Sequence, residues 1–110
     1  MQKDFSLETI LTITTGISFT DCFDDIYELS FFVYDDPYIS PLGLSFIKYD
    51  LRNHLLTIHP ELNGVVPSYA SIKNYKALDS WINKQKSIFG DTLPVSKLGQ
   101  PLSANKKKIK

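Results

Sequence analysis

Apolar residues recur at spacings of three and four along four stretches of this chain, and that period predicts amphipathic helices. The clearest stretch is 41–58, where Ser40 can cap the helix and Pro41 takes its first position, which proline favours. Pro60 ends this helix, because the residue before a proline disfavours the helical conformation. The predicted helices cover residues 6–15, 21–34, 41–58 and 74–89.

For two of these segments a strand is the alternative interpretation. Residues 6–15 have a cap at Ser6 and a C-terminal glycine at Gly16, but their run of threonines and isoleucines also suits a strand. Residues 29–34 have a similarly high β-propensity. We interpret both as helical because the longer apolar stripes follow the helical period.

The apolar stripes of the four helices predict one hydrophobic core. The residues after the fourth helix lack the helical pattern. Pro94 and Pro101 exclude a long helix after the fourth, so this segment is expected to be extended. Residues 103–110 form a basic tail that we expect to be disordered. The predicted fold is therefore all-α, a compact single domain of about four helices over residues 1–102. The predicted core consists of Leu7, Ile10, Leu11, Ile26, Leu29, Val33, Leu44, Ile47, Leu51, Leu55, Leu78, Trp81 and Ile82.

Composition narrows the class of protein without identifying it. The chain has 110 residues, of which 43% are apolar, and this is typical of one globular domain rather than of a disordered chain. Its single cysteine cannot form an internal disulfide, so a reducing compartment is expected. The sequence shows neither a signal peptide nor an apolar run of the ~18 residues that a membrane span needs, so no membrane association is predicted.

The net charge of zero conceals an uneven distribution. Residues 1–50 have nine acidic against two basic side chains, and residues 51–110 have ten basic against three acidic ones. Four of these bases lie in the last five residues, so an acidic body carries a basic tail. An acidic body favours a protein partner over a nucleic acid.

Two acidic segments provide the candidate partner-binding residues. In the second helix, acids at i, i+3, i+4 and i+7 share one face, and the helix ends in YDDPY, whose tyrosines suit a protein interface. The same four acids also fit a solvated helix face or a site for a cation such as Mg²⁺, so these interpretations stay open. The candidate residues are Asp21, Asp24, Asp25, Glu28, Tyr34, Asp35, Asp36 and Tyr38.

An alternative partner is a nucleic acid, whose phosphates the lysines of the last helix and of the tail would contact. The residues concerned are Lys84, Lys86, Lys106, Lys107, Lys108 and Lys110.

No catalytic, metal or cofactor site is predicted. The sequence contains no glycine-rich phosphate-binding loop. His54 and His59 are five residues apart, a spacing that does not place two zinc ligands on one helix face. We therefore expect His54 to be an exposed helix residue and His59 to cap the end of its helix.

Four motifs occur in the order and at the spacing of a known group of proteins. They are FSLETILTITTG, IYELSFFVYDD, LLTIHPEL and FGDTLPVSKL, which together extend over residues 5–98. Through them the chain resembles a family of small bacteriophage and prophage proteins of unknown function, which shows Thr-Thr-Gly, His-Pro-x-Leu and Phe-Gly-x-x-Leu-Pro-Val in this order. The chain departs from the family between residues 34 and 46, where the family tends to have a glycine after the second helix and then a polar, basic stretch. The resemblance implies a phage origin and a location in the cytoplasm of the infected bacterium, and it brings no catalytic residues.

These observations lead to one main functional expectation. The chain is expected to be a non-enzymatic phage accessory protein that binds and modulates a host bacterial protein, in particular as a counter-defence inhibitor. A nucleic-acid-associated protein is the alternative, and a small metal-dependent enzyme using the carboxylates of residues 21–28 is a third hypothesis. A homo-oligomer is compatible with the first two.

Overall fold

The helical period predicts the main elements of the fold correctly. The computed structural model describes residues 2–19, 23–100 and 102, and all four predicted helices are present, with every predicted bound that falls on a described residue within one residue of the observed one. The predicted start of the second helix at residue 21 and the basic tail, 103–110, lie outside the described residues. In chain order the elements are β1 (Gln2–Ser6), α1 (Leu7–Thr15), α2 (Phe23–Tyr34), α3 (Pro41–Ile58), a 3₁₀ turn (Pro60–Leu62), α4 (Tyr69–Ile72), α5 (Tyr75–Phe89) and β2 (Thr92–Ser96).

The prediction of an all-α fold is wrong, because the two ends of the described chain form a small sheet. β1 and β2 pair antiparallel, with Gln2 opposite Ser96 and Phe5 opposite Leu93. The segment expected to be merely extended is therefore a strand. Its partner lies some 90 positions earlier in the sequence, and a local pattern does not show which distant segment a strand will meet.

The threonine-rich run is compatible with a helix because its hydroxyls find partners within that helix. The Ser6 side chain accepts from the Thr9 N–H at 3.2 Å, and Gly16 ends the helix with a φ of 78°. Thr12 Oγ1 donates to the carbonyl oxygen of Glu8 at 2.7 Å, four residues earlier. The same hydroxyl accepts from the Phe19 N–H at 3.0 Å, so it also fixes the loop that follows α1.

The core lies where the helices and the sheet meet. Among the predicted core residues, Leu44, Ile47, Leu78 and Trp81 are only partly buried, and the other nine are buried. The prediction missed the strands, which contribute Phe5, Leu93 and Val95, and the 3₁₀ turn, which contributes Leu62. None of the described helices has the length and apolar character that crossing a lipid bilayer requires.

Two buried histidines attach β2 to α3, so the expectation that His54 is exposed is wrong. His54 Nε2 lies 2.8 Å from the carbonyl oxygen of Ser96, and His59 Nε2 lies 2.7 Å from that of Pro94. A carbonyl only accepts, so each Nε2 carries a proton and donates. The two carbonyls therefore face α3 rather than β1, and the histidines supply the hydrogen-bond donors for the outer edge of β2. Pro94 has no N–H, so it leaves no donor unpaired on that edge.

His59 does more than cap its helix. Its backbone N–H donates to the carbonyl oxygen of Leu55 at 2.9 Å, as expected at a helix end. Its ring Nδ1 lies 3.1 Å from Oε2 of Glu61, while Nε2 donates to Pro94, so both ring nitrogens have polar partners although the residue is buried. The side chain thereby joins α3, the 3₁₀ turn and β2.

A matched pair of leucine substitutions tests whether β2 is part of the core. Leu93→Ala should lower the free energy of unfolding by about 2–5 kcal/mol, because it leaves a cavity in a packed core. Leu98→Ala, in the same segment but at a side chain that is 47% exposed, should change it by less than about 0.5 kcal/mol. Denaturant unfolding of both variants measures the difference, and equal effects would show that β2 does not belong to the core.

Candidate functional site

The end of α2 is built by residues that the sequence analysis assigned to partner binding. Asp35 has a φ of 55°, and its N–H approaches the carbonyl oxygen of Phe32 at 3.4 Å. The Asp36 N–H donates to the carbonyl oxygen of Phe31 at 3.1 Å, which completes the pattern of a Schellman motif. Asp35 thus occupies the left-handed position that glycine favours.

A lysine from the segment after β2 caps the same helix end. Lys97 Nζ donates to the carbonyl oxygen of Phe32 at 3.1 Å and lies 3.3 Å from Oδ1 of Asp35. It also lies 4.4 Å from the centre of the Phe32 ring, within the range of a cation–π contact. The Leu98 N–H donates to the carbonyl oxygen of Val33 at 2.8 Å. A positive charge here complements the negative end of the helix dipole.

Three of the predicted acidic residues share one surface depression, but bases offset much of their charge. Glu28, Asp35 and Asp36 line a depression of about 400 Å³ together with Lys3 and Lys97. Lys3 Nζ lies 2.6 Å from Oε2 of Glu28, and Lys97 pairs with Asp35. Asp36 Oδ1 accepts from the Tyr38 N–H at 2.9 Å, so this carboxylate stabilises the turn into α3.

Tyr34 is a packing residue rather than an exposed contact. Its side chain packs against the core, its hydroxyl is buried, and no described residue offers that hydroxyl a hydrogen bond. Burial raises the pKa of Tyr34 above 10.0, and the nearby carboxylate of Asp50 raises this pKa further. By contrast, Tyr38 is almost fully exposed.

The other predicted residues are dispersed. Asp24 and Asp25 lie in the first turn of α2, where carboxylates suit the helix dipole, and Asp21 lies outside the described residues. Within residues 2–19, 23–100 and 102, no three His, Cys, Asp or Glu side chains come together in a way that could hold a metal ion.

One of the two helical lysines predicted to contact a nucleic acid forms an ion pair within the fold. Lys86 Nζ lies 2.6 Å from Oε2 of Glu8, so it joins α5 to α1, and the hydrogen bond that it donates to Glu8 is the main reason why the pKa of Lys86 is raised. Lys84 is exposed. Lys106, Lys107, Lys108 and Lys110 lie outside the described residues, so the alternative depends on Lys84 and on a part of the chain that the structure does not describe.

One feature that the sequence analysis missed is an apolar face on α3. Tyr38 is 88% exposed, Leu42 68%, Phe46 77% and Tyr49 66%. Leu42, Phe46 and Tyr49 follow the spacing i, i+4, i+7 and therefore lie on one side of the helix. We call Leu42, Phe46 and Tyr49 the α3 apolar face.

The α3 apolar face lies opposite the side of the helix that enters the core. At 100° per residue, Leu51 lies about 180° from Leu42, and it is buried. None of residues 41–50 is buried, whereas Leu51, His54 and Leu55 are. The first half of α3 thus carries two apolar stripes, and only one of them packs against the rest of the protein.

Charges of opposite sign flank the α3 apolar face. Asp50 lies about 80° from Leu42 on one side of the helix, and Arg52 lies about 80° from it on the other side. Lys48 lies on the Arg52 side, and all three residues are exposed. Arg52 Nε donates to the carbonyl oxygen of Thr14 at 2.9 Å, which holds this side chain against the end of α1.

Comparison with protein-family models, with curated proteins and with solved structures found no match to this chain. The resemblance to the phage family therefore stays a prediction from the sequence motifs.

Removal of the Lys97 charge tests how far the fold depends on the cap of α2. Lys97→Met keeps the apolar stem but loses the hydrogen bond to Phe32 and the ion pair with Asp35, so the free energy of unfolding should fall by about 1–2 kcal/mol. Lys84→Met is the matched control, because Lys84 is exposed and forms no ion pair with a described residue; its effect should stay within about 0.5 kcal/mol. Equal effects of the two substitutions in urea unfolding would contradict a capping role.

Replacement of Tyr34 tests whether its hydroxyl is unpartnered. Tyr34→Phe should leave the free energy of unfolding unchanged or raise it by up to about 1 kcal/mol, because a buried hydroxyl without a partner is removed. A loss of more than about 0.5 kcal/mol would mean that the hydroxyl has a partner.

The same substitution should change the response to alkali. Because the folded state raises the pKa of Tyr34, the associated stability is present below pH 10 and is lost as the pH rises through the raised value. Tyr34→Phe should therefore lose less stability than the unchanged chain between neutral and strongly alkaline pH. Thermal unfolding over a pH series measures this difference.

Proposed function

We propose that this chain is a non-enzymatic phage accessory protein that binds and modulates a host bacterial protein, as a counter-defence inhibitor would. The observation that supports the proposal is the α3 apolar face, a row of large side chains on the side of α3 that points away from the core. The three side chains of this face expose on the order of 400 Å². That area is comparable to the largest apolar patch of a typical monomer, and such patches are often functional.

The geometry of the face fits a known mode of recognition. A helix that presents anchors at i, i+4 and i+7 can insert them into a hydrophobic groove of a partner. Leu42, Phe46 and Tyr49 have this spacing. Aromatic side chains at the centre of an interface contribute much of its binding energy. Phe46 is therefore the expected central anchor.

The flanking charges define the kind of partner. Asp50 on one side suits a basic rim, whereas Lys48 and Arg52 on the other side suit an acidic one. The partner surface is thus an apolar groove or helix with bases along one edge and acids along the other.

Three buried polar side chains have structural partners within the fold. His54, His59 and Ser96 are all buried, and their side chains hydrogen-bond other parts of the fold. These hydrogen bonds hold separate parts of the fold together.

Capture from bacterial lysate with matched variants tests the proposal. The unchanged chain, Phe46→Asp and Ile88→Asp are used as baits, since both substitutions place a carboxylate at an exposed apolar position and Ile88 lies on α5. Each captured protein is then purified and titrated with the three chains. We expect a host protein whose affinity falls at least about 30-fold with Phe46→Asp and stays unchanged with Ile88→Asp.

Either of two results would contradict the proposal. One is that no captured protein binds the purified chain. The other is that Phe46→Asp and Ile88→Asp weaken binding equally.

A further inference from the structure

A second copy of this chain has a surface that is complementary to the α3 apolar face. The face is a helix stripe with an acidic flank at Asp50 and a basic flank at Lys48 and Arg52. A second copy offers the same apolar stripe with the same two flanks. We propose that the free protein is a dimer in which the α3 apolar faces of two copies pack against each other with the helices parallel. This inference concerns the same surface as the proposed function but does not depend on it.

Two-fold symmetry determines how the flanks meet. If the symmetry axis runs along the two helices, the helices are parallel, and the acidic flank of each copy lies beside the basic flank of the other at the same height. Asp50 of one copy is then two residues, or about 3 Å, along the axis from Arg52 of the other. Symmetry forms this pair twice, once on each side of the interface.

The antiparallel alternative is disfavoured by the same charges. An axis across the helices places the basic flank of one copy beside the basic flank of the other. Lys48 and Arg52 would then face their own counterparts, and like charges side by side are unfavourable. Charge complementarity therefore selects the parallel arrangement, in which Phe46 meets Phe46 and Tyr49 meets Tyr49.

The small area of the face indicates a weak dimer. Leu42, Phe46 and Tyr49 of one copy present on the order of 400 Å², so two copies would bury about 800 Å² of this surface. This is at the lower end of specific interfaces, and we expect a dissociation constant in the micromolar range. Such a dimer covers the apolar side chains of the free protein and still releases them to a host protein that binds more tightly.

Sedimentation of the purified chain tests the dimer. From about 1 μM to about 1 mM, a range that covers weak association, the apparent mass should rise from that of one chain to that of two. Phe46→Asp should weaken the dimer at least about 30-fold, and Ile88→Asp should not. Circular dichroism confirms that each variant is folded. A monomer at every concentration, or a dimer that Phe46→Asp leaves intact, would overturn the inference.

Charge reversal and cross-linking test the parallel arrangement. Asp50→Arg should weaken the dimer about tenfold by removing two ion pairs and creating repulsion, whereas Asp79→Arg on the exposed side of α5 should leave it unchanged. Tyr49→Cys should oxidise to a covalent dimer, and the unchanged chain shows whether Cys22 cross-links by itself. In a mixture of the two variants, the Leu42→Cys chain could cross-link to the Tyr49→Cys chain in preference to itself. That result would show antiparallel helices and contradict the parallel dimer.

The two proposals can fail separately. A monomer that still binds a host protein through Phe46 overturns the dimer and leaves the proposed function in place. A dimer that binds no host protein overturns the proposed function and leaves the dimer in place.

Discussion

Two hydrogen bonds, from His54 to the carbonyl oxygen of Ser96 and from His59 to that of Pro94, hold β2 between α3 and β1. A buried carbonyl without a partner would cost about 1–3 kcal/mol, so a strand in this position needs donors on its outer edge. β1 occupies the other edge and leads directly into α1, where the Leu7 N–H donates to the carbonyl oxygen of Asp91. The strand pair and the histidines together join both ends of the described chain to the longest helix.

The segment that follows β2 stabilises the end of α2, where the turn to α3 begins. The residues after β2 supply the Lys97 side chain and the Leu98 N–H, and both bind carbonyls in the last turn of α2. Asp35 and Asp36, which looked like partner-binding residues, take part in ending α2 and starting the turn into α3. A cluster of acids in a sequence is thus ambiguous, because helix ends and turns use carboxylates for their own hydrogen bonds.

Packing within the fold leaves one side of the first half of α3 uncovered. The second half is committed to the core and to β2 through Leu51, His54 and Leu55, whereas none of residues 41–50 is buried. Burial of the α3 apolar face would be favourable by about 25 cal/mol for each square ångström covered, so any protein that fits it gains binding free energy. A host protein and a second copy would compete for this surface, and mass action would decide which of them occupies it.

The sequence by itself determined the four long helices, because their signals are local: Ser6 and Gly16 bound α1, and Ser40 with Pro41 begins α3, each through residues within a few positions. It also contained the spacing of Leu42, Phe46 and Tyr49, but the same helix has two apolar stripes, and no local rule says which one enters the core. Only the tertiary structure decided that, together with the pairing of β1 with β2 and the burial of His54, whose partner is 42 residues away. Contacts over such separations depend on how all elements pack at once, so a local pattern leaves them undetermined.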